Sequence, residues 1–271
     1  MDIIRKVIMY ISSFDIAMAI LPYKALYGLV DKVDEYATSK HGSTCSLYIS
    51  RNSWYYKSLL ALAKNYGVPI LLPGVYERAG SRKYFSAILF NSGQEPDSIS
   101  HRKLVLNRES NDDGINRGSE LTVFRKDNID LSFAVLLDEE HEYLELSRMY
   151  SFLSDFIVSA FSPDKYGAYR ELSRIISIIC KCKVIVPGAI YYIKKKLYVS
   201  TPTLIFENGR LLYKYSRDKQ AVIMIPRDKL KQENVFNNFE QYRRIVTMIY
   251  KQFLRRGVSI GNRQSYSHQN V

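Results

Sequence analysis

Lys103 and the acidic run Asp138-Glu139-Glu140-His141-Glu142 are the residues of this chain best suited to chemistry. Carboxylates beside an imidazole can hold a metal ion or move protons, and a lysine can meet a developing anion. The same acids also suit the first turn of a helix, where they face exposed N–H groups, and that is the reading favoured for 138–142. Lys103 is open between an anion-binding group and a residue paired with Glu77 or Glu109. Three cysteines, Cys45, Cys180 and Cys182, make no even framework, which points to a reduced compartment. Cys180-Lys181-Cys182 has no second cysteine pair or histidine pair near it, so inert thiols are expected and no metal.

Basic residues form a second group. Lys194, Lys195 and Lys196 are expected at a hairpin tip, and Arg243 and Arg244 on a late helix. Further basic groups stand at Arg82-Lys83, His101-Arg102, Lys181/Lys183 and Arg255-Arg256. The formal net charge is +12. Such a surface attracts an acidic protein or a nucleic acid, although no recognised nucleic-acid motif accompanies it. The twenty-two tyrosines are expected mostly to line strands.

Elements that could position these groups are read from periodicity. Residues 2–11 predict a short amphipathic helix and Phe14–Leu21 a strand ended by Pro22. Trp54–Tyr66 predicts a helix closed by Gly67, and Val68–Val75 the next strand. Tyr84–Phe90 is expected to pair with Ile99–Leu106 across Asn91-Ser92-Gly93, and Leu121–Phe124 with Asp130–Leu137. A helix over 139–153, a strand at Asp155–Ala160 and a helix over 168–180 come next. Short strands are expected at Val184–Val186, Ala189–Ile193, Lys196–Val199, Thr203–Phe206 and Leu211–Tyr215, the last two joined by the two-residue turn Asn208-Gly209. Gln220–Ile225 is the last expected strand and Phe236–Arg255 a C-terminal helix. No linker composition divides the chain, so residues 1–256 are expected to form one α/β domain, with 257–271 a polar, loose tail. The apolar N-terminus is interrupted by charges and lacks a cleavage pattern, and no uncharged stretch is long enough to span a bilayer. A cytoplasmic protein with no membrane association is therefore expected.

In that order the chain resembles the carbon–nitrogen hydrolase (nitrilase) superfamily. Phe14-Asp15-Ile16-Ala17-Met18-Ala19-Ile20-Leu21-Pro22 is similar to the family's strand ending in Pro-Glu, and Gly67–Glu77 to its second strand. His101-Arg102-Lys103-Leu104-Val105-Leu106 resembles its Tyr-Arg-Lys-x-x-Leu, and Glu109 and Arg117-Gly118 echo the family's next Glu and Pro-Gly. Ser154–Phe161 resembles a later strand of the family and Ser200–Gly209 a later hairpin. The resemblance implies a four-layer α/β/β/α sandwich, a homodimer or higher homo-oligomer, and no cofactor. The family's chemistry needs a Cys nucleophile, a Glu base to take its proton and a Lys to meet the oxyanion. Carried over, Lys103 matches the Lys, Tyr23 stands in the Glu position, and Leu136, two before Asp138, stands in the Cys position. Few residues precede Phe14, so the family's first strand is expected to be shortened or missing.

Leucine has no lone pair, and tyrosine is a poor base at neutral pH. The expectation is therefore a catalytically inactive nitrilase-like protein that binds or scaffolds. The alternative is an enzyme with altered active-site chemistry. Lys103, Glu109 and Asp138 are the expected pocket residues, and Lys194, Lys195, Lys196, Arg243 and Arg244 the expected basic surface.

Overall fold

The computed structural model describes residues 1–26, 48–93, 96–107, 114–126, 131–193, 196–216, 222–226 and 229–230. Helix α1 (Asp2–Ile11) turns Ile8 and Ile11 inward. Helix α2 (Trp54–Tyr66) opens on Ser53, whose Oγ accepts from the Tyr56 N–H, and closes on Gly67 at φ +67°. Its buried residues Tyr56, Leu59 and Ala63 fall at helical spacing.

A small sheet lies beneath these helices, in the order β1 (Ala19–Ile20), β2 (Ile70–Ala79), β3 (Arg82–Phe90) and β4 (Ser98–Arg102). Strand β1 runs parallel to β2 and covers only two residues of the expected Phe14–Leu21. The N–H groups of Ala19 and Leu21 donate to the carbonyls of Pro69 and Leu71, and past the strand the Lys24 N–H donates to Pro73 O. Strands β2 and β3 form a long antiparallel hairpin about Gly80-Ser81, further than the expected end at Val75. The pairing of β3 with β4 is as expected, though it stops at Arg102.

The second sheet holds the site. Its order is β12 (Arg210–Tyr215), β11 (Thr203–Glu207), β8 (Lys183–Val186), β7 (Phe156–Ala160), β6 (Leu131–Leu137) and β5 (Phe124–Lys126). Strands β6, β7 and β8 are parallel, and parallel neighbours need crossovers. These are α3 (Leu144–Ser151) and α4 (Tyr166–Ile179). Alternation along β6 sorts its side chains: Leu131, Phe133, Val135 and Leu137 join the core facing the small sheet. Ala134 and Leu136 join the core under α3 and α4. Phe124, Phe133 and Phe156 stack across three strands, with ring centroids 4.9 and 5.4 Å apart, and pin the register. Helices, sheet, sheet, helices make the four layers.

Strands β11 and β12 turn at Asn208-Gly209, both at positive φ, the signature of a type I′ turn. Strands β9 (Ala189–Ile193) and β10 (Lys196–Thr201) form a separate hairpin. The expected helix over 139–153 is two pieces, a 3-10 turn Asp138–Glu142 and then α3. Residues 222–226 lie in no strand, contrary to the expectation for Gln220–Ile225. The C-terminal helix Phe236–Arg255 and the tail fall outside the described residues. No described helix is long and apolar enough to cross a membrane.

Candidate functional site

Strand β6 ends at Leu137, and the next residue, Asp138, leaves the sheet at φ +46°. A non-glycine residue there is strained and must be held. His141 contributes by hydrogen bonding the Asp138 carbonyl through Nδ1 at 2.6 Å. Because a carbonyl only accepts, Nδ1 carries the proton, and Nε2 faces Ser159 Oγ at 2.5 Å. Burial pushes the His141 pKa down, against the bond to Asp138. Glu140 ties the turn to the small sheet. Its carboxylate accepts from the N–H groups of Leu137 (2.8 Å) and Leu104 (2.6 Å) and lies 3.0 Å from His101 Nε2.

Two side chains from separate elements, Tyr23 and Lys103, meet at Asp138. Tyr23 follows β1 and donates from its hydroxyl to Asp138 Oδ2 at 2.6 Å. Its ring occupies space that a side chain at Gly74 would fill, since a Cβ there would come within 2.7 Å of the ring. Lys103 follows β4, and its amide donates to Phe85 O at 2.8 Å. Its Nζ stands 3.7 Å from Asp138 Oδ2 and pairs closely with Glu139 Oε2. The other Glu139 oxygen accepts from Lys165 Nζ at 2.7 Å and Asn107 Nδ2 at 3.2 Å. The remaining Asp138 oxygen accepts from Ser162 N–H at 3.0 Å.

All of Tyr23, Lys103, Asp138 and Glu139 are buried, and burial sets the electrostatics. Together with the adjacent Asp138 carboxylate it holds the Tyr23 hydroxyl well above its ordinary range. Burial alone would raise Glu139, but Lys103 and the bonds from Lys103 and Lys165 bring it down to about 2. Lys165 is raised by Glu139 despite the opposing effect of burial.

These shifts predict a two-stage acid response. A lowered histidine pKa means that the unfolded chain takes up the proton first, so stability falls as pH drops below about 6.5. Glu139, ordinarily near 4.5 and here near 2, gives stability that is present above about 4.5 and lost as pH falls towards 2. Urea midpoints measured across this range should show both stages. Glu139→Gln should flatten the lower stage alone; an unchanged slope below 4.5 would contradict the pairing.

Several expected site residues sit elsewhere. Leu136 is not brought to Tyr23 and Lys103; it packs under the helices with Leu104, Leu146 and Tyr150. Strand alternation is the reason, since residue 136 shares its face with Ala134. The residue that does meet Tyr23 and Lys103 is Asp138. The acids of 138–142 do form the first turn of a short 3-10 helix, and Glu140 caps it through the Leu137 N–H, but Asp138, Glu139 and Glu140 are buried, each with its own partners. Among the described residues Lys103 pairs with Glu139 and Asp138 rather than with Glu77. Glu77 is taken by Arg102, at 3.0 and 3.1 Å, and by Ser86, and Glu109 lies outside the described residues. His101 is fully buried and Arg102 paired, so this basic group belongs to the interior. Lys194, Lys195, Arg243 and Arg244 lie outside the described residues, as does Cys45. Lys196 opens β10 opposite Ile193. Cys182 is buried in the core under the helices. Among the described residues no three His, Cys, Asp or Glu side chains form a group that could hold a metal.

This arrangement of layers and strand ends recurs in solved structures. An amidase of Nesterenkonia sp. AN1 superposes with a TM-score of 0.63 at 12% identity, over 93% of this chain and 92% of its own. A CN-hydrolase superfamily protein of Xanthomonas campestris, with an arsenic adduct in its active site, gives 0.63 at 12% identity over 83% and 85%. A Saccharomyces cerevisiae member of branch 10 of the nitrilase superfamily gives 0.58 at 13% identity over 78% and 76%. The chain has the nitrilase fold. No protein-family model matches it, and no curated protein does. Within this nitrilase fold, the ends of β1, β4 and β6 converge on one buried cluster, Tyr23–Asp138–Lys103–Glu139. It contains two carboxylates, one ammonium and one phenol, and none of the described cysteines.

Proposed function

We propose that this chain is a nitrilase-fold protein that does not hydrolyse carbon–nitrogen bonds and serves as a binding or scaffolding subunit. The observation that carries the reading is the direction of the Tyr23–Asp138 hydrogen bond. A thiol–glutamate pair works because the base takes the nucleophile's proton. Here the phenol gives its hydrogen to the carboxylate, and its raised pKa removes it further from acting as a base. Asp138 is the residue standing where the nucleophile would be. Its oxygens are held by Tyr23, Ser162 and Lys103. The ammonium of Lys103, which would meet an oxyanion, is already neutralised by Glu139 and Asp138.

A second reading has one observation in its favour. The strained backbone at Asp138 presents a carboxylate at a strand end, as an enzyme with altered chemistry would require. In that reading an Asp138 oxygen attacks an amide carbonyl, the C–N bond breaks with the amine leaving protonated, and Asp138 carries the acyl group as a mixed anhydride until water hydrolyses it.

The net charge of +12 directs the binding reading towards an acidic partner. A homodimer or larger assembly is part of the same proposal and is open to sedimentation. Ammonia release from acrylamide, from simple aliphatic amides and from a nitrile tests the hydrolytic question. No release above a buffer blank is expected, and no acyl adduct at Asp138 by mass spectrometry. Turnover that disappears in Lys103→Ala would overturn the proposal, and an adduct at Asp138 would favour the second reading.

A further inference from the structure

We infer that strand β12, terminal in the large sheet among the described residues, is a docking site for an acidic peptide that adds to it as a further strand. This rests on the binding-subunit reading and gives it a surface and a partner class. Strand β12 is terminal in the six-stranded sheet and bonds to β11 on one side. Among the described residues no backbone partner stands on its other side. An open edge of this kind is a template for another strand.

The side chains of this edge are unusual for an unpartnered surface. Leu211, Leu212 and Tyr213 expose 50%, 53% and 38% of their area. The patch continues onto the end of α4, where Ile178 and Ile179 expose 46% and 41%. Ile178 lies against the Asn208-Gly209 turn, since a Cβ on Gly209 would come within 2.5 Å of its Cγ1. Register places Leu211 and Lys214 on the face shared with Phe206 and Leu204, the side of α4. Leu212 is the unopposed residue of a bulge, which limits regular pairing to a short added segment.

Charge selects the occupant. Arg210 and Lys214 stand near the two ends of the strand, both exposed, with no ion pair among the described residues. The acid nearest in register, Glu207, is engaged by Lys183 at 3.0 Å. A second copy of this chain would bring four cations onto one short seam and set two net charges of +12 against each other. A nucleic acid would meet the cations but leave the backbone edge and the leucines without partners. An extended peptide that carries a carboxylate and an apolar residue on each face can meet all three features at once.

Fluorescence anisotropy of the full chain with a labelled peptide of Glu-Glu and Val-Val pairs, which puts Glu and Val on both faces, is the test. Binding is expected, and it should weaken as salt rises. Methylating alternate backbone nitrogens of the peptide, on the edge facing β12, should cost at least about tenfold by removing ladder bonds. Arg210→Glu combined with Lys214→Glu should cost about tenfold with an unaltered melting curve, because both residues are exposed. Equal binding of the methylated peptide, or no effect of the double reversal, overturns the proposal. So does full competition by oligothymidylate through the same two residues, which would assign the edge to nucleic acid. Self-association that these reversals strengthen or abolish would assign it to a second copy and equally overturn the proposal. Failure here leaves the non-hydrolytic reading standing, since only amide turnover removes that.

Discussion

Lys103→Met should lower the stability of the fold by about 3 kcal/mol, the low end of what removing one partner from a buried ion pair costs. In the folded chain Lys103 is only 4% exposed, and it neutralises Glu139 while standing 3.7 Å from Asp138. Methionine keeps most of the volume but leaves two carboxylates under one layer of side chains. Lys165 and Asn107 still hold one Glu139 oxygen, which keeps the loss at the lower limit. For a chain of this size the melting temperature should fall by roughly 6–12 °C. The diagnostic measurement is a double-mutant cycle. Glu139→Gln should cost clearly less in the Lys103→Met background than alone, with a coupling of about 1–3 kcal/mol. Additive losses would mean that the pair is not electrostatically linked and that the cluster is ordinary polar packing.

That cluster explains why the fold was legible from the sequence and the site only in part. Local signals carried the fold. The Asn208-Gly209 turn needs two positive-φ residues, and both residue types accept them. Gly67 closes α2, and the β6 run is apolar on both faces because layers cover it on both sides. Expectation failed where pairing decides the outcome, as at β1, which pairs with β2 over two residues of the expected eight.

At the site, Tyr23 and Lys103 were singled out from their neighbours in the chain, but the side chain the structure brings to them is that of Asp138, not of Leu136. The spacing nucleophile–x–acid fits 136–138 and fits 138–140 equally well. The first fit uses Asp138 as the acid. In the structure Glu140 has the acid's place, holding the amides of Leu137 and Leu104, and Asp138 stands at the strand end. Alternation could have separated the two. In an apolar run covered on both faces, residue 136 points into one core, and a site residue has to lie past the last buried position. The burial of Asp138, Glu139 and Glu140 had no local signal. It depends on Tyr23, His101, Lys103 and Lys165, which reach the turn from elements far away in sequence.

If Asp138 holds the nucleophile's place, combining Asp138→Cys with Tyr23→Glu should create a reactive thiol in a chain that lacks one there. Asp138→Cys would present sulfur from the same strained turn, with Lys103 close enough to favour the thiolate. Tyr23→Glu would supply the missing base, because a carboxylate at position 23 could accept a proton that the phenol cannot. Acrylamide is a suitable probe, since the structure of a glutamate-to-glutamine mutant of the Nesterenkonia amidase shows it added to that protein's active-site cysteine. The double variant should form an adduct on the peptide containing position 138 about a hundredfold faster than Asp138→Cys alone, the lower bound for a positioned base. The native chain provides the baseline for Cys45, Cys180 and Cys182. Leu136→Cys combined with Tyr23→Glu is the control: its thiol would face the core under α3 and α4, where Leu136 is fully buried, and should stay unmodified. Faster labelling at position 136 than at 138 in folded variants would reverse the assignment.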